Sequence, residues 1–205
     1  MHYAFLTPGD VALFEQVYQL CAESIDPAEQ KTYQQFQAML GAAHYRLSAA
    51  IEEEEVVGVA IFFMPVGEPF CLLEYLVVKP GRQSKGLGTA LVRGSAGATP
   101  DRTMLVEADP EDESSPDRQT RRRRINFYRR LGFHRAVGCA YRLPLTTPGL
   151  AMELMVRLRS NTPSLSRETF QHWLGVIYEQ AYGCSRTDHR IFEITAGLSE
   201  TIEWD

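Results

Sequence analysis

Apolar positions recur along the chain at changing intervals, and the interval predicts the element at each stage. His2 to Leu6 reads as a short strand, Pro8, Gly9 and Asp10 as a turn and helix start, and Val11, Phe14, Val17, Tyr18 and Cys21 as one face of a first helix. Asp26-Pro27 predicts the opening of a second helix, with Tyr33, Phe36, Met39 and Leu40 on its apolar face and Gly41 as its stop. Tyr45–Ile51 and Val56–Met64 are rich in β-branched and aromatic residues and predict two strands, with the acidic tetrad Glu52–Glu55 as the hairpin tip. Phe70–Val78 is a near-continuous apolar run ending before Pro80, as expected of a strand buried on both faces. It holds a single carboxylate, Glu74, which alternation puts on the face of Leu76 and Val78.

A glycine-bearing turn, Gln83-Ser84-Lys85-Gly86-Leu87-Gly88, then leads into a helix through Thr89, Ala90, Leu91 and Val92. Thr103–Glu107 predicts another strand. Asp109–Asp117 is an acidic loop rich in Ser and Pro, and a strongly basic helix follows from Arg118 to Leu131, closed by Gly132. Phe133–Leu145 supplies further strand material, and Pro144, Pro148 and Gly149 mark a boundary. Beyond it, alternation from Met152 to Leu158 predicts a strand. Ser166 begins a helix whose stripe is Phe170, Trp173, Leu174, Ile177, Tyr178 and Ala181, ending at Gly183, and Ile191–Thr195 reads as a terminal strand.

At 205 residues with 44% apolar and 23% charged side chains, the chain predicts one core with an appendage. The net charge of −5 argues against nucleic acid or a membrane surface as partner, since both reward a positive field, and favours a cationic small molecule or peptide. No apolar run approaches membrane-spanning length and the N-terminus lacks a signal-peptide layout, so a cytoplasmic protein is expected. Cys21, Cys71, Cys139 and Cys184 are widely spaced and read as ordinary thiols, and the five histidines have no metal-ligand spacing, so no metal is expected.

The glycine turn has neither the GxGxxG spacing of a dinucleotide fingerprint nor the GxxxxGK[ST] of a P-loop. Glycines let a backbone approach a pyrophosphate, a following helix offers unpaired N–H groups, and Lys85 adds a positive charge. The segment VVKPGRQSKGLGTAL, Val77–Leu91, resembles the acyl-CoA-binding motif of the GNAT acetyltransferases, with Gln83, Gly86 and Gly88 in the motif places. Asn126–Phe133, NFYRRLGF, resembles the family's late helix with its FYxxxGF ending.

The resemblance covers about residues 1–145. It implies an α/β (α+β) fold with a mixed, strongly bent sheet flanked by helices: a catalytic domain over 1–145, and a C-terminal strand-helix-strand extension, 146–205, packing on or extending it. It further implies acetyl-CoA as cosubstrate, bound through Val77, Val78, Gln83, Ser84, Lys85, Gly86, Leu87, Gly88, Thr89 and Asn126.

The implied chemistry is attack of a primary amine on a thioester, and an alkyl amine with a pKa of about 10.4 needs a base at neutral pH. Glu74 is the candidate, acting directly or through water. The competing reading is a buried carboxylate held by a neighbouring cation, an arginine being the expected partner. Glu107 is the rival base or an anchor for the acceptor ammonium, with Asp109 beside it. Tyr128 matches the family's usual proton donor to the leaving thiolate, against a plain role as a core aromatic beside Ile125 and Leu131. Arg121–Arg124 fan around their helix and read as a solvated face pairing with the acidic loop, with one of them in reach of a coenzyme phosphate as the alternative. The tetrad Glu52–Glu55 reads as a solvated turn or as a lure for a cationic substrate. The leading function is thus N-acetyl transfer to a cationic small molecule or peptide. Its rival is a non-catalytic acyl-CoA-binding sensor or interaction module with the stripe around Trp173 partly exposed for a partner, a second copy of the chain among the candidates.

Overall fold

The computed structural model describes residues 1–27, 29–96, 102–111, 116–145, 149–160, 162 and 164–205. The chain divides into two compact units, Met1–Asp101 and Arg102–Asp205. The first contains β1 (His2–Phe5), α1 (Val11–Ser24), α2 (Tyr33–Gly41), β2 (Tyr45–Glu52), β3 (Glu55–Phe63), β4 (Phe70–Val78) and α3 (Leu87–Ala96). Strands β1 to β4 pair in chain order, each antiparallel to the next. α1 buries Phe14, Val17, Leu20 and Cys21 at helical spacing, whereas Val11 at its first turn is exposed.

The second helix begins at Tyr33 and not at Asp26-Pro27. Thr32 and Gln35 form a reciprocal capping box, the Thr32 hydroxyl accepting from the Gln35 N–H and the Gln35 side chain accepting from the Thr32 N–H at 2.8 Å. That pair satisfies two helix-end donors at once, a stronger start than Pro27 alone supplies. The β2–β3 hairpin turns through Glu53 and Glu54, both with left-handed φ (50° and 66°), as a two-residue turn requires. α3 lies against β3 at Gly58, where a Cβ would come 2.9 Å from Leu91 Cδ1 and 3.3 Å from Leu87 Cδ2.

The second unit contains β5 (Thr103–Ala108), α4 (Arg118–Arg130), β6 (His134–Arg135), β7 (Arg142–Leu143), β8 (Leu150–Ala151), β9 (Glu153–Arg157), α5 (Arg167–Gln180) and α6 (His189–Thr195). β9 is antiparallel to both β5 and β6, and β7 pairs with β8. Thus a strand from beyond residue 146 extends the pairing of a strand from before it. Ser166 caps α5 through the Thr169 N–H at 3.1 Å, as the sequence suggests. The α5 stripe is core: Phe170, Leu174, Ile177 and Tyr178 are fully buried and Trp173 is 3% exposed. The partly exposed stripe expected of the interaction-module reading is therefore not observed.

Two strand expectations are corrected. Phe133–Leu145 contains only the two-residue strands β6 and β7, because Gly138 turns the chain with φ 84° and its backbone packs against that of Gly197. Ile191–Thr195 is helical, not a terminal strand: the Asp188 side chain caps α6 by accepting from the Arg190 N–H, and Ile191, Ile194 and Thr195 form its buried face at i, i+3 and i+4. The described part of the extension accordingly runs through two strands, β8 and β9, and then two helices, α5 and α6, with a helix where the terminal strand was expected. Pro148, one of the expected boundary residues, and part of the acidic loop, Asp112–Ser115, lie outside the described residues. Among the described residues no helix is long and apolar enough to cross a membrane.

Candidate active site

Glu74 occupies a break in strand register. Ile61 of β3 faces Tyr75 while Phe62 faces Leu73, so Glu74 is the extra residue of a β-bulge, a device that re-aims one side chain without ending the strand. Its side chain is 3% exposed, and the Lys31 ammonium lies 2.5 Å from Oε1. Charge is thereby balanced, but the contact lacks hydrogen-bond geometry: neither carboxylate oxygen has a hydrogen-bond partner among the described residues. The cation is a lysine from the connection between α1 and α2, where an arginine was the expected partner. The adjacent Tyr75 hydroxyl donates to the Glu29 carbonyl at 3.0 Å and fastens the same connection.

Past the end of β4 the chain turns through Gly81, Ser84 and Gly86, all with left-handed φ (82°, 61° and 82°). The Gln83 side-chain amide donates to the Val78 carbonyl at 3.3 Å and ties the loop back to the strand. Val77 and Val78 sit opposite Val59 and Gly58. The Gly86 carbonyl accepts from the Ala90 N–H at 2.9 Å, which starts α3 and leaves the N–H groups of Leu87, Gly88 and Thr89 in the first turn, where a helix provides no acceptor for them.

Gln83, Ser84, Lys85 and Gly86 are exposed, Leu87 is buried against the sheet, and Gly88 and Thr89 are half-buried. Nothing lies within 4 Å of where a Gly86 Cβ would stand. An open, cationic turn at a helix N-terminus has the donor set that a pyrophosphate requires. The basic residues flanking it are held by the hairpin tip: Arg82 pairs with Glu52 at 2.6 Å and Lys79 with Glu55. The outer glutamates of the tetrad are thus engaged with the glycine loop.

In the second unit Glu107, near the end of β5, accepts from two phenols, Tyr141 on Oε1 and Tyr182 on Oε2. Burial, followed by the negative charge of Glu107, pushes the Tyr141 phenol well above its ordinary pKa. Asp109 has different partners: it pairs with Arg124 and lies 4.0 Å from Arg121. Arg121 also bonds Asp117 at 2.9 Å, and Arg118 and Arg122 approach Glu111. The basic run therefore pairs with the acidic loop before it.

Tyr128 is 5% exposed, with its ring edge-on to Phe133 at 5.6 Å. Burial raises its phenol to about 12; Arg124 pulls the other way and Asp109 adds to the rise. Asn126, two residues earlier on α4, is exposed. Sequence reasoning missed Lys31, Tyr141 and Tyr182. Tyr182 stands just past a legible helix stripe, whereas no local pattern marks Lys31 or Tyr141.

Residues 43–135 match the family model described as an acetyltransferase (GNAT) domain. No curated protein matches the chain. Among solved structures, an acetyltransferase assigned to the GNAT family from Bacteroides thetaiotaomicron aligns over 90% of this chain and all of its own, at 20% identity and a TM-score of 0.72. An aminoglycoside 6'-N-acetyltransferase complexed with coenzyme A aligns over 80% of this chain and 99% of its own, at 20% identity and a TM-score of 0.63. The ribosomal-protein-S18-alanine N-acetyltransferase of Escherichia coli covers 78% and 96%, at 18% identity and a TM-score of 0.57. These likenesses are of fold. The glycine turn between β4 and α3 lies inside the matched segment, so residues 43–135 are similar to a GNAT acetyltransferase domain and the chain shares the fold of the acetyltransferases of that family.

Proposed function

We propose that the protein transfers an acetyl group from acetyl-CoA to a primary amine of a cationic small molecule or peptide in the cytoplasm. The observation that carries this reading is a buried carboxylate, Glu74, re-aimed by a bulge on the strand that leads directly into an open glycine turn. Residues 1–145 form the catalytic part and 146–205 its extension. Coenzyme A, when bound, supplies the thioester. The turn residues Gln83–Thr89 hold its pyrophosphate through backbone N–H groups, Lys85 adds charge, and Val77, Val78 and Asn126 supply polar contacts along it.

Glu74 takes the proton from the acceptor ammonium, directly or through one water. Tyr128 remains a neutral phenol far above neutral pH and donates to the departing thiolate. Because a thiol near pKa 8.5 is the stronger acid, this donor acts mainly as a hydrogen bond to developing charge and not by complete proton transfer. Glu107, fixed by two phenols, and Asp109 give the acceptor side its negative character, in keeping with an acceptor that arrives as a cation. The fold is shared by an aminoglycoside acetyltransferase and by a ribosomal-protein acetyltransferase, so a screen of acceptors should include small-molecule and peptide amines alike.

Calorimetric titration and thermal unfolding with coenzyme A, acetyl-CoA and NAD test the first half, since a ligand of the native state raises stability by mass action. Binding of both coenzyme A compounds and not of NAD is expected. Thiol release from acetyl-CoA with an aminoglycoside, a diamine and an alanine-initiated peptide tests the second half, with Glu74→Gln expected to lose about 100-fold or more in kcat. A coenzyme A-binding protein that turns over no amine would instead favour the acyl-CoA-binding module.

A further inference from the structure

Glu74 presents a combination that burial alone does not explain. Its side chain is 3% exposed, both oxygens lack a hydrogen-bond donor among the described residues, and the ammonium at 2.5 Å from Oε1 comes from a connection clamped on both sides. Before Lys31, the Glu29 carbonyl is held by the Tyr75 hydroxyl at 3.0 Å, and Tyr75 is the next residue after Glu74 on β4. After Lys31, Thr32 is locked by its capping box into α2. Phe36 of α2 stacks on Tyr75 with ring centroids 5.4 Å apart, so the helix and the strand that bear the two clamps are themselves packed together. A lysine tethered in this way is placed by the fold, with little of its four-carbon freedom left to lose.

A carboxylate this deeply buried is costly to leave without a counter-charge, and the Lys31 ammonium supplies one. The ammonium lies 2.5 Å from Oε1, and both carboxylate oxygens are buried without a hydrogen-bond partner among the described residues. We propose that Lys31 is a positioning residue for the general base, resting on the assignment of that role to Glu74: its ammonium, carried by the clamped connection, fixes the orientation of the buried carboxylate at the bulge, so that a carboxylate oxygen meets the N–H of the acceptor ammonium or of the bridging water. The acceptor nitrogen loses one proton to the Glu74 carboxylate and attacks; the C–N bond forms, the thioester C–S bond breaks as coenzyme A leaves, the second nitrogen proton passes to the departing thiolate, and Lys31 takes no part in the proton transfers.

A thermal-unfolding cycle with Lys31→Gln, Glu74→Gln and the double variant needs no acceptor. Each single variant is expected to lower Tm by roughly 5–10 °C, and the double variant by no more than the worse single, since the double leaves no unpaired buried charge. In the kinetic arm, acetyl transfer to the amine selected by the screen should fall at least 10-fold in kcat for Lys31→Gln, with coenzyme A affinity unchanged, and Lys31→Arg should recover most of it. A lysine with only a structural role would lose stability and coenzyme A affinity together and show no such split. Additive Tm losses, or full kcat in Lys31→Gln beside an inactive Glu74→Gln, overturn the role of Lys31 and leave the base assignment standing. Full kcat in Glu74→Gln overturns the base assignment and the inference together. Should Lys31→Gln not fold, Lys31→Met with Glu74→Gln in the same chain is expected to fold and Lys31→Met alone is not; a double variant that also fails overturns the pair.

Discussion

The phenol of Tyr182, two residues past the end of α5, donates a 2.5 Å hydrogen bond to Oε2 of Glu107 on β5. The C-terminal extension thus reaches a carboxylate that the sequence marks as an acceptor-side residue. Removing residues 150–205 takes away β9, the antiparallel partner of β5, so truncation tests folding and not recognition. Tyr182→Phe isolates the contact. Losing one hydrogen bond to a charged group is worth about 1.5–3 kcal/mol, so acceptor KM should rise 10-fold or more while coenzyme A affinity holds. Steady-state kinetics with varied acceptor checks this, and an unchanged KM would remove Glu107 from the acceptor site.

Two glycines with nearly the same φ should respond in opposite ways. Gly86 (φ 82°) has open space around its missing Cβ, whereas a Cβ on Gly138 (φ 84°) would lie 2.2 Å from the Gly197 carbonyl oxygen. Gly86→Ala should lower stability by only about 1 kcal/mol, the cost of alanine in a left-handed conformation, yet weaken coenzyme A binding 10-fold or more by blocking the close approach of the pyrophosphate. Gly138→Ala forces backbone apart and should lower Tm by more than about 10 °C without a specific effect on coenzyme A. Parallel calorimetric and thermal-melt series on the two variants would show the separation, and equal effects on both readouts would contradict it.

The contrast between these positions also explains what the sequence made legible. β4, the glycine turn and α3 are readable because strand burial, turn conformation and helix start are each written in consecutive residues, Phe70 to Val92. The ends of α5 are readable for the same reason, through Ser166 and its stripe. Ile191–Thr195 misleads because five residues are too short for period 2 and period 3.6 to differ, and the deciding signal is the capping carboxylate of Asp188, three residues upstream. The bulge at Glu74 arises from register against Ile61 and Phe62, and the Lys31 and Tyr141 contacts span 43 and 34 residues. Such partners are set by tertiary packing, which leaves no local periodicity to read.

With its phenol raised to about 12 by burial, Tyr128 stays protonated across the working range. Tyr128→Phe should therefore lower kcat by about 10- to 100-fold, the worth of one donor aimed at developing charge, at every pH from 6 to 10. It should not introduce or remove an alkaline limb in that window, since the residue it replaces does not titrate there. The ring contact with Phe133 is retained, so Tm should change little. A variant with wild-type turnover over the whole range would return Tyr128 to the core as an aromatic and nothing more.

Acid stability should carry the signature of Asp188. Chiefly the Arg190 guanidinium, bonded at 2.8 and 2.9 Å, and also the Arg190 backbone N–H, lower its carboxyl to about 2, against an opposing effect of burial. A carboxylate depressed in the folded state stabilises the fold fully above its unfolded pKa of about 3.8 and loses that contribution as pH falls toward 2. The side chain is 14% exposed and the contribution is about 2 kcal/mol before solvent screening reduces it. Asp188→Asn keeps an acceptor for the α6 cap but not the charge. It should lower Tm at pH 7 by a few degrees and lose less additional stability than wild type between pH 4 and pH 2. Urea unfolding across that interval measures the difference, and parallel curves for the two proteins would show that the Asp188–Arg190 pair contributes nothing to the pH dependence.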